Sequence, residues 1–196
     1  MNLPNKLTLS RFVLTGAFLV VLLAEFRYSE TLALVLFVAA SITDWMDGSI
    51  ARSRNLVTNF GILMDPMADK VLTCSAFIAF VGRGFLPAWM VVIIVARELA
   101  ITGLRLLAAS QQVVLAAERL GKHKTISQIV TIISILVLVS YQEWGPVGRA
   151  IFGFHLFGRP WVTEFTQVSI WMTVVLTFAS GFLYLWRNRH LYAKDL

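Results

Sequence analysis

Apolar runs of membrane-crossing length follow one another along this chain, over residues 9–25, 31–52, 61–81, 87–109, 125–141 and 167–186. A bilayer core is about 30 Å thick, so a crossing helix needs about 20 such residues. Backbone N–H and C=O groups in lipid must pair internally, which leaves the helix as the form for runs of this length. Composition agrees. The 196 residues are 58% hydrophobic and 14% charged, whereas soluble domains sit near ~45–50% apolar and ~25% charged. The sequence therefore predicts an all-α, polytopic membrane protein. It has six transmembrane helices in one domain, 1–196, preceded by a short interfacial helix over 1–8 with Leu3 and Leu7 set against Lys6.

A basic start before an apolar run also describes a signal peptide. This run is long for one and lacks a small-residue cleavage site, which favours a retained first helix. Polar turns fall at 27–30, 53–59, 82–84 and 111–124. The longest loop, 143–166, is punctuated by Gly145-Pro146, Gly148, Gly153, Gly158 and Pro160. Eleven cationic residues lie on one side: Lys6, Arg11, Arg52, Arg54, Arg105, Arg119, Lys122, Lys124, Arg187, Arg189 and Lys194. Four lie on the other: Arg27, Arg83, Arg149 and Arg159. That bias places both termini in the cytoplasm. The net charge of +6 is read as this bias plus phosphate-bearing ligands, not as a nucleic-acid partner. Cys74 has no second cysteine to pair with and reads as a small core residue.

Four carboxylates interrupt the apolar pattern: Asp44, Asp47, Asp65 and Asp69. On insertion scales each Asp near a helix centre costs about 2.5–3.5 kcal/mol, or roughly 10–14 together if nothing neutralises them. Asp44, Asp47, Gly48, Ala51 and Arg52 share one helical face, and Asp65 and Asp69 share a face of the next helix. The short connection makes the two helices antiparallel neighbours, so both acidic faces meet near their cytoplasmic ends. Carboxylate oxygens suit Mg²⁺ or Mn²⁺, and four of them are enough to bridge two ions roughly 3.5–4 Å apart. Gly48 and Ala51 clear space for a ligand, and Arg52 is able to hold a phosphate by two hydrogen bonds. Asp65-Pro66 has two readings, a helix cap followed by its first residue or a proline inside a continuous helix. Pairing of the acids with Arg52, Arg54, Lys70 and Arg97 is the bland alternative. Four acids at this spacing, with the glycines and Arg52, speak against it.

The run Asp44-x-x-Asp47-Gly48-x-x-Ala51-Arg52, eight residues, then Gly61-x-x-x-Asp65-x-x-x-Asp69 resembles the signature of the CDP-alcohol phosphotransferases, with every motif position filled. Residues 2–11, the pair Arg97-Glu98 with Leu104-Arg105, and Gly121 to Thr125 further resemble the bacterial branch that makes phosphatidylglycerophosphate. This likeness spans about the first two thirds of the chain. It implies transfer of a phosphatidyl group from CDP-diacylglycerol to sn-glycerol 3-phosphate, with release of CMP. It implies two divalent cations, Mg²⁺ or Mn²⁺, held by Asp44, Asp47, Asp65 and Asp69, with Asp69 also the general base. Gly48, Ala51, Arg52, Thr58, Gly61 and Asn5 would contact CDP-diacylglycerol. A homodimer in the bacterial cytoplasmic membrane, with its active site facing the cytoplasm among membrane lipids, is implied as well.

The acceptor site is read from the basic set. Arg97 and Arg105 are eight residues apart on one helix and share a face. Lys122, Lys124 and Thr125 are expected to start the fifth span, where free N–H groups favour anions. Together these five would bind the phosphate of glycerol 3-phosphate. Arg97 lies deep in an apolar run beside Glu98, so it is either paired or lines a polar cavity. Lys70 is expected to pair with an acid, and His123 to be a solvated loop residue. Other acceptors (serine, an inositol phosphate, phosphatidylglycerol) remain alternatives within the enzyme class, and the basic set argues against serine. A cation transporter is the alternative outside it; no inverted repeat supports that reading.

Overall fold

The computed structural model describes residues 3–24, 26–54, 59–113, 115, 119–156 and 158–192. For residues 3–8, 44–54, 59–69, 119–120, 122 and 156 it describes the backbone alone. Six long helices cover the six apolar runs: α1 (Leu3–Leu23), α2 (Ser29–Arg54), α3 (Asn59–Gly82), α4 (Ala88–Ser110), α5 (Arg119–Ser140) and, after the short α6 (Gly145–Phe152), α7 (Trp161–Arg187). At 1.5 Å per residue each of the six is about 30–40 Å long. By length and composition two stretches are fit to cross a membrane, His123–Phe152 and Trp161–Arg187, among the described residues. Shorter apolar helices cover Leu9–Leu23, Ser29–Thr43 and Lys70–Gly82.

Three boundaries differ from expectation, and one open reading is decided. No separate interfacial helix precedes the first run, because α1 is continuous from Leu3. Pro4 falls in the first turn, where a missing N–H breaks no helical bond. α3 runs unbroken through Pro66, which selects the continuous-helix reading of Asp65-Pro66. Pro66 then leaves the carbonyl of Ile62 without its helical donor. α5 starts at Arg119, inside the expected 111–124 connection. Arg, Leu and Lys form helix well, so the polar character of Arg119, Lys122 and Lys124 does not by itself make a loop. The 143–166 loop is also largely structured. A 3-10 turn (Tyr141–Trp144) leads into α6, a two-residue hairpin joins β1 (His155–Leu156) to β2 (Arg159–Pro160), and α7 follows at once. Gly145 and Gly158 take the left-handed conformation that these turns need, with φ of 65° and 84°. At Gly148 a Cβ would stand 2.1 Å from the Tyr141 carbonyl oxygen, so only glycine lets α6 fold back on the turn.

α1 packs on both α2 and α3, α5 on α2 and α7, and α4 on α7. The main apolar core joins Phe18 and Phe37 (ring centroids 5.7 Å apart) to Phe77, Phe80, Ile94 and Leu136. Large apolar side chains such as Val20, Val35, Ile78, Leu99, Val168 and Phe178 face outward. Small polar ones fill the α5–α7 seam. The Thr131 hydroxyl donates to the Ser169 carbonyl at 2.9 Å and shares a 2.8 Å hydrogen bond with Thr173, and Thr166 donates to the Ser134 carbonyl. Without a hydrophobic drive between helices in lipid, such small, hydrogen-bonding contacts hold the pair together.

At the end remote from the 55–58 link, Glu30 accepts a 2.7 Å hydrogen bond from Arg83. The Thr31 N–H and hydroxyl donate to Glu143, and the Trp144 indole N–H donates to the Thr31 hydroxyl. This clasp ties the start of α2 to the α3–α4 turn and the turn before α6. Burial alone would raise the Glu30 carboxyl. Its hydrogen bonds with Glu143, the backbone and Ser29, with the Arg83 charge, outweigh that and hold it below the ordinary carboxylate value. A lowered folded pKa contributes stability above the carboxylate range that is lost as pH falls through it. Thermal melts of wild type should therefore drop as pH falls from about 5 to about 3 by more than those of Glu30→Gln. Parallel profiles would remove Glu30 from the acid response.

Candidate active site

The signature residues occupy two helices on either side of the 55–58 link. Asp44, Asp47, Gly48, Ala51 and Arg52 lie on the last turns of α2, and Gly61, Asp65 and Asp69 on the first half of α3. Counting rise per residue, Asp44 stands about 15 Å before the end of α2 and Asp69 about 15 Å past the start of α3. Asp47 and Asp65 stand at about 10 and 9 Å. Asp44 and Asp69 thus lie equally far along the chain from the 55–58 link, and Asp47 and Asp65 nearly so. Their side chains, and those of Asn5 and Lys122, lie outside the described residues, as does Thr58 entirely. Helix periodicity alone fixes the shared faces, since positions three, four, seven and eight apart return to one side.

Arg11, to which the sequence analysis assigns no role in the site, lies on a helix packed against both acid-bearing ones. It is almost completely buried, 2% exposed. It sits about 12 Å from the start of α1. A guanidinium inside an apolar bundle is found engaged with acids or carbonyls, and Arg11 is engaged here.

Glu98 of α4 is buried and carries two cations. The Lys124 amine donates to its carboxylate, and Arg97 Nη1 lies 3.4 Å from the same oxygen, Oε1. Lys70 of α3 donates to the Thr102 hydroxyl, which donates to the Glu98 carbonyl at 2.7 Å. Among the described residues Lys70 therefore rests on a hydroxyl, where a carboxylate partner was expected. Arg97 is paired, as one of its two readings had it. Arg105 is exposed; its Nε donates to the Tyr184 hydroxyl at 3.5 Å, and its guanidinium carbon is 5.8 Å from that ring. Thr125 is exposed and donates to the Gly121 carbonyl. Because α5 begins at Arg119, its free N–H groups belong to residues 119–122, and Lys124 and Thr125 sit a turn further in. Arg97 and Lys124 are brought together around Glu98. Arg105 stands about two turns along α4, against α7.

The sequence profile of the CDP-alcohol phosphatidyltransferase family matches residues 1–179. The chain belongs to this family. It is 40% identical over 199 residues to the CDP-diacylglycerol–glycerol-3-phosphate 3-phosphatidyltransferase of Bacillus subtilis (strain 168), covering 95% of each chain. It is 34% identical over 183 residues to the protein of the same name from Rickettsia typhi, covering 93% of this chain and 94% of that one. With the one from Sodalis glossinidius it shares 30% identity over 195 residues, covering 97% and 96%. Membership in a transferase family leaves the cation-transporter alternative without support. The family profile ends at residue 179, so Gly181 and Tyr184, which touch Arg97 and Arg105, fall beyond it. No local pattern marks either one; a glycine and a tyrosine in an apolar run acquire meaning only from what α4 places against them.

Proposed function

We infer that this phosphatidyltransferase moves the phosphatidyl group of CDP-diacylglycerol to sn-glycerol 3-phosphate, giving phosphatidylglycerophosphate and CMP. The observation that carries this is the filled eight-position signature on α2 and α3, in a chain whose full-length relatives bear that activity in their names. Asp44, Asp47, Asp65 and Asp69 form an all-oxygen, tetra-anionic donor set that fits hard divalent cations, Mg²⁺ or Mn²⁺. Two such ions, when bound, neutralise the pyrophosphate and the leaving CMP. Arg52 holds a phosphate of the donor, with Gly48, Ala51 and Gly61 giving it room and Asn5 and Thr58 as further donor contacts. Asp69 takes the proton from the acceptor hydroxyl as its oxygen forms a bond to the phosphorus bearing the diacylglycerol. The bond from that phosphorus to the CMP oxygen breaks, and CMP leaves with the electron pair. Such a reaction needs mainly positioning and charge stabilisation from the protein.

Arg97, Arg105, Lys122, Lys124 and Thr125 bind the acceptor phosphate. Arg97 and Lys124 share the single carboxylate of Glu98, with Lys70 hydrogen-bonded to Thr102 beside it; such a basic cluster inside an apolar bundle supports this, since ionisable groups there mark ligand sites. The same reading makes residues 1–196 one domain of six crossings in the bacterial cytoplasmic membrane, with both termini and the acidic site toward the cytoplasm. The distribution of Lys and Arg supports that orientation. A homodimer completes the reading on the family resemblance.

Purified protein given CDP-diacylglycerol and Mg²⁺ should release CMP with glycerol 3-phosphate and not with serine, an inositol phosphate or phosphatidylglycerol. Chelation by EDTA should abolish release, and added Mg²⁺ or Mn²⁺ should restore it. Preference for another acceptor would overturn the substrate assignment, and full activity in EDTA would overturn the metal assignment.

A further inference from the structure

We propose that Gly181 and Tyr184 of α7 are positioning residues for the acceptor: they fix the Arg97 and Arg105 guanidinium groups in place to receive its phosphate. The proposal rests on the reading of these two arginines as acceptor ligands. α4 and α7 lie side by side and run parallel, with Trp89 beside Trp171 at one end and Arg105 beside Tyr184 at the other. Between these contacts the Arg97 stem crosses α7 at Gly181. A Cβ on Gly181 would stand 2.6 Å from Arg97 Cγ and 3.5 Å from its Cβ. Those atoms are the root of the side chain and cannot swing aside as its tip could. Glycine inside a helix is otherwise unfavourable by about 1 kcal/mol relative to alanine, so a close approach of this kind is what its presence serves.

The consequence lies at the guanidinium. Passing α7 at Gly181, Arg97 reaches Glu98 with Nη1, and its Nη2 lies 3.9 Å from where a Gly121 Cβ would be, close against the first turn of α5. Its buried Nε has no hydrogen-bond partner among the described residues. One turn further along α7, buried Tyr184 receives the Arg105 Nε and flanks its guanidinium with the ring. That contact takes up the Nε of Arg105 and leaves its two terminal nitrogens for an oxyanion, the planar fork that suits a phosphate. α7 thus forms the back wall of the acceptor site, with residues that lie past the stretch shared with the family profile.

The test is the kinetics of the full-length enzyme, read as CMP release. Gly181→Ala should raise KM for glycerol 3-phosphate about tenfold, with kcat and KM for CDP-diacylglycerol within about twofold of wild type, the signature of lost ground-state binding. The Ki of inorganic phosphate as a competitor of the acceptor should rise in the same ratio. Tyr184→Phe, which deletes one oxygen, should raise the same KM about threefold. Gly103→Ala on α4, where a Cβ meets nothing within 4 Å, should match wild type. Unchanged acceptor KM in both variants, or equal change in both KM values, overturns the proposal. If Gly181→Ala does not accumulate in membranes, Tyr184→Phe decides. Wild-type enzyme inactive with glycerol 3-phosphate would instead overturn the acceptor reading itself, and this proposal with it.

Discussion

Asp69→Asn should leave a protein that folds, inserts and binds CDP-diacylglycerol but releases CMP about 10²–10⁴ times more slowly, the usual contribution of a positioned general base. The amide keeps the shape and one oxygen of the carboxylate, yet it cannot accept the hydroxyl proton. Asp69 sits one helical turn beyond Asp65 on α3, so it can face both the cations and the incoming acceptor. The contrast with Asp44→Asn separates the two roles. Loss of a pure metal ligand weakens cation affinity, and a large excess of Mg²⁺ should restore much of the rate. Loss of the base should not respond to Mg²⁺. If excess Mg²⁺ rescues Asp69→Asn as fully as Asp44→Asn, Asp69 is a ligand only.

Glu98→Gln should cost about 3–5 kcal/mol of stability, the loss expected when one partner of a buried ion pair is removed and the other stays charged. The Glu98 carboxylate is shared by Lys124 and Arg97, and all three side chains are largely buried. Glutamine fills the same space but leaves both cations without a counter-charge among the described residues. The thermal midpoint in detergent should fall by many degrees, and accumulation in membranes should fall with it. Adding Lys124→Met to Glu98→Gln removes one of the stranded charges and should recover part of the loss, because the energy belongs to the pair and not to either member. A single variant as stable as wild type would show that Glu98 is dispensable as a counter-charge.

These two experiments probe regions of different legibility. The Asp69 prediction was available from residue order, because the signature is local. Residues three, four, seven and eight apart on a helix share a face whatever surrounds it, so spacing alone aligned the acids, the glycine and Arg52. Span-length apolar runs likewise announced the helices. Their ends were less legible. Polar residues 119–124 continue α5 as readily as they would make a loop, and Pro66 is compatible with both a cap and an interior position.

The Glu98 prediction could not have been made that way. Its partner Lys124 is 26 residues distant, Lys70 meets Thr102 across 32, and Arg105 meets Tyr184 across 79. Each pairing depends on which face of which helix packs against which neighbour. Burial of Arg11 against two acid-bearing helices is a property of the bundle, invisible in a stretch that reads as topology. The sequence by itself determined the helical membrane class, the family and the acid spacing, because periodicity and hydropathy act over a few neighbouring residues. Only the tertiary structure decided that Glu98 draws Arg97 and Lys124 together and that Gly181 makes way for Arg97, because close approach between distant helices is settled by packing alone.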